Sequence, residues 1–590
     1  MCRINGIVDK RNEFQVQDII AMRDIMHRGG PDHAGIYNEE NEGLILGHRR
    51  LSIIDLCESG NQPMLSADNS IVIVFNGEIY NYRLLREELV LLGMNFKTQS
   101  DTEVIINAYK KWGLNCFSRF RGMFALALYD KSRQELVLAR DHAGIKPLYY
   151  FSDHASLYFA SEIRAFKQLK PGWPENPDWR TYFLTYGYLP GKITTLKNVF
   201  SLEKGSYRVF NIKTLESSKG YFNQDSYSED IVKYEEARLQ IRKSMEVAVQ
   251  RHLVADAPLG LFLSGGIDSS LLTLLASKYK KNLHTLSITF NENNYSEKKY
   301  QDLIARKVNS SHQSFLLTRE LFVDSLPDIL QAMDQPSSDG INSYFISKFA
   351  KEAGLKAVLS GLGADELFGG YPSFRRTKLL NRLKKIPSFV LGISDMHSRD
   401  KFKKLKFLNQ ESAVGDYLFN RGYFVPAETA RLLELDEKEV ASQVFNLPMP
   451  EFLNSISPGN KTSYLESNLY MEGQLLKDTD YMSMWHSIEV RVPFLDYDLI
   501  KYVQSIKSDL KFGNKQGKFL LIDSFSDLLP PEIWNRKKQG FTFPFDIWMK
   551  DNLQQFMQGK QNKLLNKKFR EGKLSWSRYW TYLVSQSFAA

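Results

Sequence analysis

Residues 259–279 read "LGLFLSGGIDSSLLTLLASKY". An apolar strand runs into a Ser-Gly-Gly turn and, without a break, into an apolar helix. Two further strand-like runs follow, "LHTLSITF" (283–290) and "LKAVLS" (355–360), with helical sequence between them. Strand–helix alternation of this kind predicts a doubly wound parallel sheet with helices on both faces. The turn also carries chemistry. Gly265 and Gly266 lack Cβ atoms, so their backbone N–H groups are free to turn toward one anion. The helix that opens at once adds its partial positive charge. Ser264, Ser269 and Ser270 supply hydroxyls. Asp268 would repel a phosphate unless a cation stood between them, and it is therefore expected to be a Mg2+ ligand. The Gly-Lys-Ser/Thr ending of a Walker loop is absent. In a parallel sheet, the loops at the carboxyl ends of neighbouring strands meet at one crevice. "SGLGADELFGGY" (360–371), after the third strand, is thus expected to face the phosphate loop, with Asp365 as a second Mg2+ ligand and Glu366 beside it.

The sequence upstream has another texture. Short strand signals crowd the first 208 residues: "SIVIVFNGEIYN" (70–81), "GMFALALYD" (122–130), "ELVLAR" (135–140), and a hairpin in "KPLYYFSDHASLYFASE" (146–162). Helical runs such as "QDIIAMRDIMH" and "YRLLREELVLLG" lie between them. Closely spaced strands with few helices predict antiparallel sheets in a layered α+β sandwich. Periodicity fades over 209–232, which reads as a linker, and 233–590 forms the second domain, its last third mostly helical. The basic stretch 375–407 reads as a solvated helical surface or a polyanion-binding patch.

Composition is consistent with this division. A 590-residue chain exceeds one core. Hydrophobic residues make up 43% and charged residues 25%, the balance of a globular protein, and 13% aromatics argue against extended disorder. A net charge of +9 suits either a nucleic acid or an anionic small molecule such as ATP. Three cysteines, Cys2, Cys57 and Cys116, do not make a disulfide framework. With no signal-peptide core and no long apolar run, a cytoplasmic protein without membrane contact is expected.

"SGGIDSS" with "SGLGADELFGGY" resembles the ATP-pyrophosphatase domain of the asparagine synthetase family, as do "DTDYMSMWHSIEVRVPFLD" (478–496) and "RKKQGF" (536–541). The N-terminal half resembles class II glutamine amidotransferases, which are N-terminal-nucleophile hydrolases. It shows "MC…GI", "HRGGPDHAG" (27–35), "HRRLSIID" (48–55), "FNGEIYNY" (75–82), "SDTEV" (100–104) and "RDHAGIKPLYY" (140–150) in that order. The resemblance implies glutamine, ATP and a carboxylate acceptor as substrates. It makes Cys2 the nucleophile once Met1 is removed, its own α-amine serving as base. Asn76 and Gly77 become the oxyanion donors. Arg50 would take the glutamine α-carboxylate, with Asn76, Glu78 and Asp101 completing the glutamine site. The resemblance adds Leu263, Ile288, Ser360 and Gly361 to the ATP site, Ile288 through its backbone. It makes Lys538 a transition-state cation near the α-phosphate. Cys57 and Cys116 are expected to be structural. A homodimer is the expected oligomer, and a nucleic-acid partner is not expected.

Three positions depart from the family pattern. Arg3 stands where relatives usually carry a small residue, and "HRGGPD" holds one glycine more than the usual motif. Leu362 replaces the acid common between the two glycines of "SGLG", and a leucine neither accepts a proton nor holds ammonium. Glu366 and Asp339 are candidates for the missing acid. "QPSSDGINSYFISK" (335–348), expected to line the acceptor pocket, resembles a bacterial branch of synthetase-like amidotransferases, some tied to surface polysaccharide assembly. Aspartate amidation to asparagine is therefore the first expectation. The same chemistry on another carboxylate, such as a sugar uronic acid, is the second. An ATP-pyrophosphatase acting on tRNA and a non-catalytic scaffold are alternatives of other classes.

Overall fold

The structure is a computed structural model that describes residues 2–383, 403–410, 412–537, 543–552 and 560–588. The N-terminal region holds twelve strands: β1 (Arg3–Asp9), β2 (His33–Glu39), β3 (Leu44–Arg50), β4 (Met64–Leu65), β5 (Ile71–Ile79), β6 (Gly122–Asp130), β7 (Glu135–Arg140), β8 (Tyr149–Ser152), β9 (Ser156–Ala160), β10 (Phe200–Ser201), β11 (Ser206–Asn211) and β12 (Ser217–Tyr221). They form two antiparallel sheets, ordered β10-β8-β9-β1-β3-β2 and β12-β11-β7-β6-β5-β4. The period of two explains the stacking. On β5, Val72 and Val74 point into the core between the sheets, against Ile4, Leu44 and Leu46 of the other sheet. Ile71, Ile73 and Phe75 point outward under the helices Tyr82–Leu91 and Asp101–Trp112. The first sheet is covered on its outer face by helices Val16–Asp24 and Arg164–Leu169. The result is a four-layer sandwich. Both faces of the central strands are buried, which is why they read as unbroken apolar runs. Residues 209–221, whose composition reads as linker, complete β11 and form β12 at the sheet edge, with β12 mostly exposed.

The second region contains β13 (Leu259–Phe262), β14 (His284–Thr289), β15 (Ser311–Leu316), β16 (Ala357–Leu359) and β17 (Glu489–Arg491). They form one parallel sheet, ordered β15-β14-β13-β16-β17, with Leu261 opposite both Thr285 and Leu359. The three expected strands take the centre. The two flanking ones carry no such signal, since β15 is a polar, exposed edge and β17 has only three residues. Apolar residues of the first region, Leu51, Ile53, Tyr80, Met123, Ala143 and Ile145, join the same core as Leu259, Leu261, Val490 and Val492 of the second sheet. Among the described residues, no helix is long and apolar enough to cross a membrane. Most of the basic stretch, 384–402, lies outside the described residues.

Candidate active sites

Cys2 immediately precedes β1, and β5 of the facing sheet brings Asn76 beside it. The Cys2 backbone N–H donates to Asn76 Oδ1 at 3.2 Å. Its Sγ lies 4.0 Å from the Leu51 carbonyl. Asn76 is fully buried, and its Nδ2 has no hydrogen-bond partner. An orphaned buried donor is costly, and it sits on the amide whose oxygen holds the Cys2 N–H. Gly77 has to be glycine, since a Cβ there would come within 2.1 Å of the Met123 carbonyl. Burial pushes the Cys2 thiol up, with Arg50 pulling the other way. The resting group is therefore a thiol that needs a base. Arg50 is held by the loop that follows β3: its Nη1 donates to the Cys57 carbonyl at 2.7 Å and to Asn61 Oδ1 at 2.8 Å, and its Nη2 to the Asp55 carbonyl.

Two buried carboxyls complete this pocket. Asp101 starts the helix Asp101–Trp112, and its Oδ2 accepts the Ile79 N–H at 2.9 Å. Burial pushes its carboxyl up to about 6. Glu78 is raised well above the usual carboxylate range by burial, then by Glu489 and Asp101. Across the domain boundary, Arg491 of β17 lies 3.8 Å from Glu78 and 2.5 Å from Glu489. The Arg491 carbonyl accepts the Ser360 N–H at 2.8 Å, so one residue touches both pockets.

The second pocket lies at the carboxyl ends of β13 and β16. Gly265 takes φ +82°, a left-handed conformation that only glycine adopts cheaply. Ser264 Oγ and Ser269 Oγ are 2.9 Å apart and tie the turn together. Ser270 is buried, and its hydroxyl lacks a partner. The two loops touch as expected: a Cβ on Gly361 would lie 2.8 Å from that of Asp268. Lys518 Nζ bridges the acids, 2.6 Å from Asp268 and 2.5 Å from Asp365. A cation position shared by both carboxylates therefore exists, and it suits Mg2+, which is commonly held by one or two carboxylates plus phosphate oxygens. Arg536 donates to the Gly265 carbonyl at 3.0 Å and to Glu297 at 2.7 Å, fastening its segment to the turn.

Beside the loops lies a buried polar cluster. Ser337 donates to Asp478 at 2.7 Å, and Gln474 Nε2 donates to Ser338 at 2.9 Å. Gln474 and Tyr470 project from a π-helical stretch, Glu466–Leu475, in the middle of a long helix. Arg421 pairs with Glu466 at 2.9 Å and stacks on Tyr470 and Tyr371, at 3.6 and 4.3 Å. Burial pushes Glu366 up to about 7, helped by Asp365, while Tyr371 donates to it at 2.6 Å. Burial also raises Asp339. Leu362 packs against the central core.

Residues 240–575 match the family model described as asparagine synthase, and residues 1–222 match that of a glutamine amidotransferase domain. The chain belongs to the asparagine synthase family. It is 32% identical to the asparagine synthetase [glutamine-hydrolyzing] 1 of Bacillus subtilis, covering 94% of this chain and 89% of that one. It is 28% identical to the asparagine synthetase [glutamine-hydrolyzing] 3 of the same organism, over 92% and 87% of the two chains. The amidase chry2 of Gibberella zeae is 27% identical over 90% and 86%.

Within this asparagine synthase family member, the expected residues fall into two groups. Cys2, Asn76, Gly77, Glu78 and Asp101 gather in one pocket. Ser264, Gly265, Gly266, Asp268, Ser269, Ser270, Ser360, Gly361 and Asp365 gather in the other, with Leu263 buried at its floor. Ile288 is buried on β14, where its carbonyl accepts Gln301 Nε2 at 3.3 Å. Lys538 lies outside the described residues. Sequence reasoning missed Lys518 and Arg491. Nothing local marks Lys518, whereas Arg491 lies in a short run that alternates Glu, Val, Arg, Val, a strand signal with charges on one face.

Proposed function

We propose that this chain hydrolyses glutamine at Cys2 and uses the ammonia to amidate a carboxylate that its second domain activates with ATP. The observation that carries the reading is the orphaned Asn76 Nδ2, on the amide whose oxygen holds the Cys2 N–H, in one chain with a phosphate turn faced by two convergent carboxylates. Removal of Met1 frees the Cys2 α-amine, which takes the thiol proton as Sγ attacks the side-chain amide. Asn76 Nδ2 and the Gly77 N–H meet the oxyanion, one such donor being worth about 3–4 kcal/mol of barrier. Ammonia leaves with the proton, and water releases glutamate from the thioester. Arg50 and Asp101 hold the two ends of the amino acid.

In the second domain, the acceptor carboxylate attacks the α-phosphorus of ATP and pyrophosphate leaves. Ammonia then displaces AMP to give an amide. Asp268 and Asp365 would hold Mg2+, which offsets charge on the phosphates. Lys518 supplies positive charge between the same acids, and Lys538 is proposed near the α-phosphate. Glu366, titrating near neutrality beside the loop, is the candidate base for the proton that ammonia sheds.

Aspartate is the first acceptor to test. A second reading keeps the chemistry and changes the acceptor. It is favoured by the Leu362 side chain, which packs into the core and brings no acid to the site, and by the tyrosines beside the loops, whose stacked guanidinium is already paired with Glu466. Pyrophosphate release measured with glutamine, ATP and aspartate, then with a panel of sugar uronic acids, separates them. No aspartate-dependent release removes the first reading. Mass spectrometry of the isolated chain should find Cys2 at its N-terminus, and a retained Met1 would refute the nucleophile.

A further inference from the structure

Two departures from the family pattern, Arg3 and the additional glycine of "HRGGPD", turn out to be one structural feature. Arg3 follows the nucleophile directly and is fully buried. Its Nε lies 2.6 Å from Glu162, and its Nη1 crosses the domain boundary to lie 2.7 Å from Asp480, an ion pair by distance that is not aligned as a hydrogen bond. Asp480 also pairs with Lys146, which is equally buried. A parallel contact stands beside it: Asp334 of the second domain accepts the Ile163 N–H at 2.6 Å and the Arg164 N–H at 2.9 Å, and lies 3.3 Å from Arg164 Nε. Arg164 in turn lies 2.8 Å from Glu162. Three cations and three carboxylates thus balance across the boundary. Gly29 makes room for the arginine, since a Cβ there would lie 2.7 Å from both Arg3 Cγ and Arg3 Nε.

The far side of this network leads to the other chemistry. Asp480 sits on the helix Leu476–Trp485, two residues after Asp478, which accepts the Ser337 hydroxyl in the polar cluster beside the phosphate loop. One helix therefore places one carboxylate in the polar cluster beside the phosphate loop and another against the residue after the nucleophile. A buried charge stripped of its partner is strongly destabilised, so pulling the two sides apart here is costly.

We propose that Arg3 is a positioning residue for glutamine hydrolysis: it fixes Cys2 against the second domain by gripping Asp480, in a berth that Gly29 leaves open. The proposal rests on Cys2 being the nucleophile. A displaced nucleophile costs turnover more than binding, and a shift of about 1 Å can cost on the order of 100-fold.

The test measures glutamine hydrolysis by the full chain for Arg3→Met, Arg3→Lys and Gly29→Ala. Gly29→Ala removes no charge and acts only by pushing the arginine stem, so it stands if Arg3→Met does not fold. Binding of ATP with Mg2+, by titration calorimetry, reports that the second domain is intact. The expected result is a fall in kcat of about tenfold or more for Arg3→Met and Gly29→Ala, with glutamine KM changed less than about twofold and ATP binding preserved. Arg3→Lys should recover part of the rate, because a single ammonium cannot grip both carboxylates as a guanidinium fork does. Unchanged kcat in either folded variant, or a loss expressed in KM alone, overturns the proposal. A wild-type chain that does not hydrolyse glutamine overturns the nucleophile reading, and this proposal with it; the two failures are told apart by the wild-type rate.

Discussion

The two pockets solve the problem of holding charge in opposite ways. Around Cys2, the polar groups are under a tenth exposed, and key atoms are left unsatisfied: Asn76 Nδ2 has no partner, and Glu78 and Asp101 are pushed toward their neutral forms. Around Asp268, the charges satisfy one another. Lys518 lies between two carboxylates that are each about a fifth exposed, and its ammonium is strongly stabilised by them. The first pocket is built ahead of its substrate and stores the cost as unmade hydrogen bonds. The second is held together by one ammonium shared between two carboxylates, and that ammonium must exchange partners when phosphates arrive. Preorganised donors in a dry site act most strongly on developing charge, whereas an exchangeable lysine suits binding and release of a highly charged nucleotide.

The largest effect that could break this comparison is at Cys2. Cys2→Ala should abolish amide formation fed by glutamine and leave that fed by ammonium, measured side by side by product chromatography. Persisting glutamine-fed product would show that the first pocket is not the nitrogen source. Next, Asn76→Ala should lower glutaminase kcat by roughly 100- to 1,000-fold. A loss confined to KM would mean that the unpartnered amide binds substrate rather than the oxyanion.

Lys518→Met should remove the ammonium that lies between Asp268 and Asp365. It should cut pyrophosphate release by about 100-fold while sparing glutamine hydrolysis, and a variant as active as the parent would remove Lys518 from the site. The smallest effect expected is in pH dependence. Asp101 has a folded-state carboxyl near 6 against an ordinary 3.8. Below pH 6 it is mostly neutral and does not hold an ammonium. The kcat/KM for glutamine should therefore fall by about tenfold per pH unit below 6, a limb that Asp101→Asn abolishes along with most binding. Stability runs the other way. A raised carboxyl favours the fold when protonated, so ionisation of Asp101 withdraws stability as pH climbs from 3.8 through 6.

Much of this was legible in the sequence where local pattern and chemistry coincide. The strand, the Ser-Gly-Gly turn and the helix around Gly265 form one continuous signal, and the rule that neighbouring loops converge correctly places Gly361 against Asp268. The buried strands β5, β6 and β7 announce themselves as apolar runs. Other features hide for physical reasons. β15 is a polar edge whose pairing comes from its neighbour rather than from its own residues. Lys518 reaches the site only because the chain folds back over the phosphate loop, 250 residues from Asp268. Arg3 and the additional glycine look like two unrelated oddities until the fold lays the arginine stem over Gly29.

The core that fuses the two halves has a consequence for synthesis. Leu51, Ile53, Tyr80, Met123 and Ala143 join a core to which the helix Tyr234–His252 and the strands of the parallel sheet contribute, all of them later in the chain. The first half therefore emerges from the ribosome with an oily face still bare. Until the parallel sheet arrives to seal it, that face is a landing place for chaperones and a seam along which nascent chains can stick to one another.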